Sequence, residues 1–150
     1  MLYVLLACLA GAAIALQSSM NAMLGVLLKS PILATTCAFL VSGCYAFVVY
    51  ATTERPSIDA DVLAKVPWYL WTIGGLFSVV GVGLSYFLIP KMGIGNLMSL
   101  VLTGQLLMAM VINHFGWFGA KPSVVTLTKV AGIFALLIGI YLVNKGSNYG

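Results

Sequence analysis

Gln17 and Asn21 are carboxamides four residues apart in a largely apolar stretch, and on a helix that spacing puts both on one face. The same face carries Ala10, Ala13 and Gly25, so two neutral donor–acceptor groups stand on a stripe of small side chains. Ser18 adjoins them as a further hydroxyl contact. Their chemistry is hydrogen bonding, and neutral amides suit neutral or zwitterionic solutes. An amide buried without a partner costs roughly 2 to 7 kcal/mol. In an apolar setting the stripe must therefore face other protein or a watery cavity. Two uses stay open: hydrogen-bonding glue between helices, or the lining of a solute site.

A second polar face repeats the idea, with Gln105, Ala109 and Asn113 in register and with Ser99 and Thr103 on a neighbouring face. Gly74, Ser78, Gly81 and Ser85 form a narrower stripe suited to close helix approach, and Gly25 and Gly104 are further packing positions.

Two titratable groups are candidates for ion or proton coupling. His114, the single histidine, belongs to a residue type that ordinarily titrates near neutrality, although its place beside aromatic and glycine residues also suits an interfacial role. Lys129 lies inside an apolar run, where an unpaired charge at mid-bilayer costs roughly 3 kcal/mol. Its stem can snorkel to the near interface, or its ammonium can meet an anion or a partner.

No enzyme signature accompanies these groups. There is no Cys/His cluster with metal spacing, no phosphate-cradling loop and no nucleophile with a base, so neither a metal nor a cofactor is expected.

The elements that must position these side chains follow from composition. Of 150 residues, 62% are apolar and 7% charged, with a mean hydropathy of +1.11, against roughly 25% charged in soluble domains. Long uncharged stretches each suffice to cross about 30 Å as a helix. The bilayer is the solvent, and the expected class is an all-α integral membrane protein with five transmembrane helices. The spans are placed at about residues 3–28, 32–51, 68–89, 94–113 and 124–143 of a single membrane domain, 1–150.

Ser30 can cap the second span with Pro31 in its first turn, and Pro90-Lys91-Met92-Gly93 is expected to turn after the third. The only substantial polar loop, 52–66, holds Glu54, Asp59 and Asp61. Within it, Ser57 to Val62 suggests a short interfacial helix. Trp68, Tyr69 and Trp71 make an aromatic belt.

Cys8, Cys37 and Cys44 are odd in number and fall within spans, so they are read as small packing residues. The first apolar run is read as a span, not a cleaved leader, because no basic residue precedes it and it continues well past Cys8.

The net charge of +4 resides in basic residues placed singly at span ends, which marks lipid headgroups as the partner and not nucleic acid. Five spans put Arg55, Lys65 and Lys121 on one side and Lys29, Lys91 and Lys145 on the other. That tie leaves the orientation of the termini unassigned by the positive-inside rule. A tie fits either a weak bias or a chain that inserts both ways and pairs with an inverted copy of itself, a common transporter plan. No Asp or Glu lies within a span, which disfavours a carboxylate-driven antiporter.

The chain resembles the drug/metabolite transporter superfamily, and within it a small five-span bacterial family related to the small multidrug resistance transporters. The resemblance spans nearly the whole length. It is carried by Ala15-Leu16-Gln17 with Asn21-Ala22 and Gly25, by Pro67-Trp68 before Gly74-Gly75, and by Ile89-Pro90 before Gly93. The sharpest element is Gly104-Gln105-Leu106 leading to Asn113-His114-Phe115-Gly116.

The resemblance implies a multi-pass protein of the bacterial inner membrane and a ten-helix inverted-repeat transporter. One five-helix chain would supply each half in opposite orientation, as an antiparallel homodimer. The chain departs from the family pattern at Asn113, where Asp is usual. Unlike the four-span relatives it also has Gln17 in place of an acid in span one, so acidic proton coupling is not carried over. The expected function is alternating-access transport of a small organic solute, with Gln17, Ser18, Asn21, Gln105 and Asn113 as contacts. The alternatives are a non-transporting helix-bundle subunit and half of an obligate heterodimer.

Overall fold

The computed structural model describes residues 1–53 and 60–147, and every regular element there is helical. The order is α1 (Leu2–Leu27), α2 (Pro31–Thr52), the short α3 (Ala60–Lys65), α4 (Trp68–Met92), α5 (Ile94–Phe115), one 3₁₀ turn (Trp117–Gly119) and α6 (Leu127–Ser147). Among the described residues, α1, α2, α4 and α5 are long and apolar enough to cross a membrane. The apolar part of α6, Leu127–Leu142, is shorter than these four.

The α1–α2 turn is built from local chemistry. Ser30 N–H donates to Gly25 O at 3.0 Å and Lys29 N–H to Val26 O at 3.1 Å, which closes α1 with a paired C-terminal motif and places Lys29 at φ 53. Ser30 then caps α2, its hydroxyl accepting from Leu33 N–H at 3.2 Å, and Pro31 takes the first helical position where a missing N–H costs nothing.

Elsewhere the helices depart from the boundaries expected of the sequence. Pro90 does not end α4, which continues to Met92. A proline so near a helix end forfeits little, and the break falls instead at Gly93, whose φ of 81 suits glycine. Likewise α5 runs to Phe115 and stops at Gly116 in the left-handed region, φ 65. A Cβ at Gly116 would lie 3.1 Å from Pro122 Cγ, so the position requires glycine for conformation and for space.

The last helix was expected from Val124 but begins at Leu127, because Thr126 caps it. The Thr126 hydroxyl accepts from Lys129 N–H at 3.4 Å and its carbonyl from Val130 N–H at 3.1 Å. In the polar loop, α3 carries Asp61 in its first turn; the part of the expected interfacial helix from Ser57 to Asp59 lies outside the described residues.

The chain divides into two units, Met1–Lys91 and Met92–Gly150. In the first, α1, α2 and α4 meet through a small cluster of Ala22, Ala34, Ala38 and Tyr86, with Leu24, Val82 and Ile89 against it. Gly25 makes the approach possible, since a Cβ there would stand 3.3 Å from Pro31 Cα and 3.5 Å from Ala34 Cβ. The remaining lengths of these helices, Leu2–Ile14, Leu40–Thr53 and Trp68–Gly81, are exposed throughout. Exposed Leu, Val and Phe side chains are what a lipid-facing surface requires, because lipid tails are as apolar as the side chains they solvate; Val41, Ser42 and Tyr45 of α2 instead border a groove against α1.

In the second unit α5 packs on α6, with Leu97 and Ile140 buried. Ser99 Oγ reaches Asn144 Oδ1 at 3.5 Å. The loop before α6 is tied back by Ser123 N–H donating to Asn113 O at 2.9 Å, and the Phe115 and Trp117 rings stack at 5.4 Å.

Candidate functional site

The polar face of α1 borders a groove of about 370 Å³ against α2. From α1 come Gln17, Met20, Asn21 and Leu24; from α2 come Cys37, Ala38, Val41, Ser42 and Tyr45. Gln17 and Asn21 face the same space because four residues advance an α-helix by little more than one turn, and Cys37, Val41 and Tyr45 follow the same rule on α2. Among the described residues the lining is mostly apolar, carries no charged residue, and presents two carboxamides, two hydroxyls and a thiol.

The two carboxamides are held differently. Asn21 Nδ2 donates to the Tyr86 hydroxyl at 2.9 Å, and Tyr86, 1% exposed, is clamped in the core of the first unit. One Asn21 N–H is thereby committed while its carbonyl oxygen stays available. Gln17 is exposed to the groove, and its side chain makes no hydrogen bond among the described residues.

Tyr86→Phe is expected to lower stability by about 0.6 kcal/mol, the mean for a hydrogen bond between membrane helices. Tyr86→Ala should cost about 3 to 5 kcal/mol by emptying the core. Thermal melting of the purified variants checks both.

Ser18 is placed away from the groove, buried on the seam with Ala22 and Gly25 that meets the neighbouring helices. Gln105 and Asn113 are exposed on α5 in the second unit. A Cβ added at Gly74, Gly81 or Gly104 would meet nothing within 4 Å among the described residues, in contrast to Gly25. Ser78 and Ser85 turn their hydroxyls onto Gly74 O and Gly81 O at 3.0 and 2.8 Å, which leaves that stripe of α4 self-satisfied.

His114 is exposed and packs edge-on against Phe115 at 5.0 Å. Lys129 reaches back past the start of α6, as helical side chains do, and its ammonium donates to Ser123 Oγ and, at 3.0 Å, to Val124 O. Among the described residues no group of three His, Cys, Asp or Glu side chains is placed to hold a metal.

Several residues of the groove, and Tyr86 in the core beside it, are not marked out by the sequence. Tyr86 escaped because a tyrosine near a span end reads as an interfacial anchor. Ser42 and Tyr45, three apart on α2, were a legible polar pair. Cys37, read as packing, lies half-buried in the lining, while Cys8 and Cys44 are exposed.

Residues 2–142 match the family model described as "Putative inner membrane exporter, YdcZ", of the drug/metabolite transporter type. The chain belongs to that family. Neither a curated protein nor a solved structure matches it. Membership in this exporter family, with its four long apolar helices, makes the chain a multi-pass inner-membrane protein and a membrane transporter. The exporter family is a class of transporters and not of enzymes, and its match reaches into both units and includes every groove residue.

Proposed function

We propose that the chain is one half of an alternating-access transporter for a small organic solute, and that the α1/α2 groove is its share of the solute path. The observation that carries this reading is Gln17: a carboxamide inside a membrane-crossing helix, directed into a groove, with no protein hydrogen bond among the described residues. An amide left in hydrocarbon is costly, so in this reading water or a solute in the groove is the partner of Gln17.

In this reading α6 is the fifth crossing, its 21 residues extending about 31 Å with the apolar Leu127–Leu142 in the hydrocarbon and Lys145 at the headgroups. Two copies in opposite orientation compose a ten-helix inverted repeat, with Gln17 and Asn21 of each bordering a midplane cavity; Gln105 and Asn113 of the second unit remain proposed solute contacts. Two observations support pairing: the three-against-three division of basic residues, and the unpartnered Gly74–Gly81 stripe of α4, which offers a second helix close approach. Lys129 and His114 remain proposed coupling groups, and Lys129 already has neutral partners in its loop.

Function and assembly are tested separately. Liposomes containing the purified protein and loaded with labelled neutral, cationic and zwitterionic solutes should release at least one faster than empty liposomes. A protein that moves none, yet co-purifies with a different membrane chain in fixed ratio, would instead be a docking subunit or half of a heterodimer. For assembly, one reporter active only in the cytoplasm and one active only outside it are fused in turn after Gly150. Activity from both is the expected result; activity from one alone rules out the self-inverted pair.

A further inference from the structure

We propose that the α1/α2 groove selects an uncharged solute with an aromatic body and an amide-type hydrogen-bonding group, and rejects cations and zwitterions. This rests on the reading of the groove as the solute path. The selectivity comes from the lining. Among the described residues no Asp, Glu, Lys, Arg or His borders the groove, so an ion or a zwitterion entering it would shed water without meeting a countercharge there. A neutral amide, urea or phenol loses less on entry and finds direct replacements for its water.

Those replacements are arranged as a complementary pair. Asn21 is oriented by its bond to Tyr86 and keeps its carbonyl oxygen as an acceptor, while Gln17 offers both a donor and an acceptor one turn away. The remainder of the wall suits a ring. Met20 supplies a polarisable thioether and Tyr45 an aromatic face, groups that favour contact with an aromatic solute over an aliphatic one. A volume of about 370 Å³ gives this open groove room for one small organic molecule along its wall.

The groove carries its own reporter in Cys37, half-buried in the lining. In a Cys8→Ser, Cys44→Ser background Cys37 is the only thiol, and its alkylation by N-ethylmaleimide requires water, because the thiolate is the reactive form. The protein is reconstituted in phosphatidylethanolamine and phosphatidylglycerol liposomes. The labelling rate is then followed with benzamide or phenylurea, with tetraphenylphosphonium as the cation and with leucine as the zwitterion.

The expected result is saturable protection by the uncharged probes alone, about threefold at twice the dissociation constant, and loss of that protection in Gln17→Leu. Protection by tetraphenylphosphonium or leucine, or labelling that neither uncharged probe slows, overturns the selectivity and leaves the solute path standing. Cys37 that cannot be labelled at all means an acyl chain or a second copy fills the groove, which overturns both.

Discussion

Gln17→Leu is expected to reduce solute flux by roughly fivefold to a hundredfold while the protein folds, inserts and melts as the wild type does. One hydrogen bond contributes about 0.5 to 1.5 kcal/mol net, and each 1.4 kcal/mol is a factor of about ten. Removing one per copy therefore costs about two- to tenfold, and two copies bordering one cavity compound it.

Stability should be spared because the Gln17 carboxamide makes no hydrogen bond within the described protein and is exposed. Leucine is also a good helix former of similar volume. Asn21→Leu makes a useful contrast, since it removes a bond to the core as well, and its flux loss should come with a lower melting temperature. The check is flux per inserted protein beside a thermal melt. A stable Gln17→Leu variant with wild-type flux would remove the groove amide from the mechanism.

Gly25→Leu is expected to have the larger effect on the fold, with a loss of about 1 to 3 kcal/mol from overpacking. The first side-chain carbon would stand 3.3 Å from Pro31 Cα, which is backbone and cannot rotate away. Pro31 is held in turn by the hairpin around it, where Ser30 N–H donates to Gly25 O and the Ser30 hydroxyl caps α2. Relief would have to come from moving α2 off α1, which opens the Ala22–Ala34–Tyr86 cluster and changes the width of the groove.

Gly25→Ala is the graded control. Its helix-propensity gain of up to about 1 kcal/mol offsets a shift of a few tenths of an ångström, so it should lie near the wild type. Melting temperatures of the purified pair decide the matter, and a Gly25→Leu protein as stable as the wild type would show that the helices do not need this close approach.

The hairpin at Lys29–Pro31 illustrates how far local sequence reaches. A serine before a proline, after a lysine that ends an apolar run, has few other ways to satisfy its backbone, and the structure contains that cap. Pro90 illustrates the limit. Proline is read from sequence as a stop, yet its cost depends on how many hydrogen bonds lie beyond it, and two residues from the end of α4 there are few.

The α4 glycines carry the same lesson for packing. Spacing identified Gly74, Ser78, Gly81 and Ser85 as a small-residue face, whereas within the chain α4 presents Gly83 and Tyr86 to its neighbours: a Cβ on Gly83 would lie 3.6 Å from Thr35 Oγ1, and Tyr86 is fully buried.

By itself the sequence determined that the protein is helical and membrane-embedded, where its long apolar helices lie to within a few residues, and that Gln17 and Asn21 share a face. These follow from composition, hydrocarbon thickness and the helical repeat, all of which act along one segment at a time. Only the tertiary structure decided that Asn21 is fixed by Tyr86, that Ser18 turns into the packed seam, and that Cys37, Ser42 and Tyr45 complete the groove. The physical reason is that lipid gives apolar faces no preference for one another. In the first unit, which face meets which is settled by the fit of small residues and by the Asn21–Tyr86 hydrogen bond across 65 positions of chain.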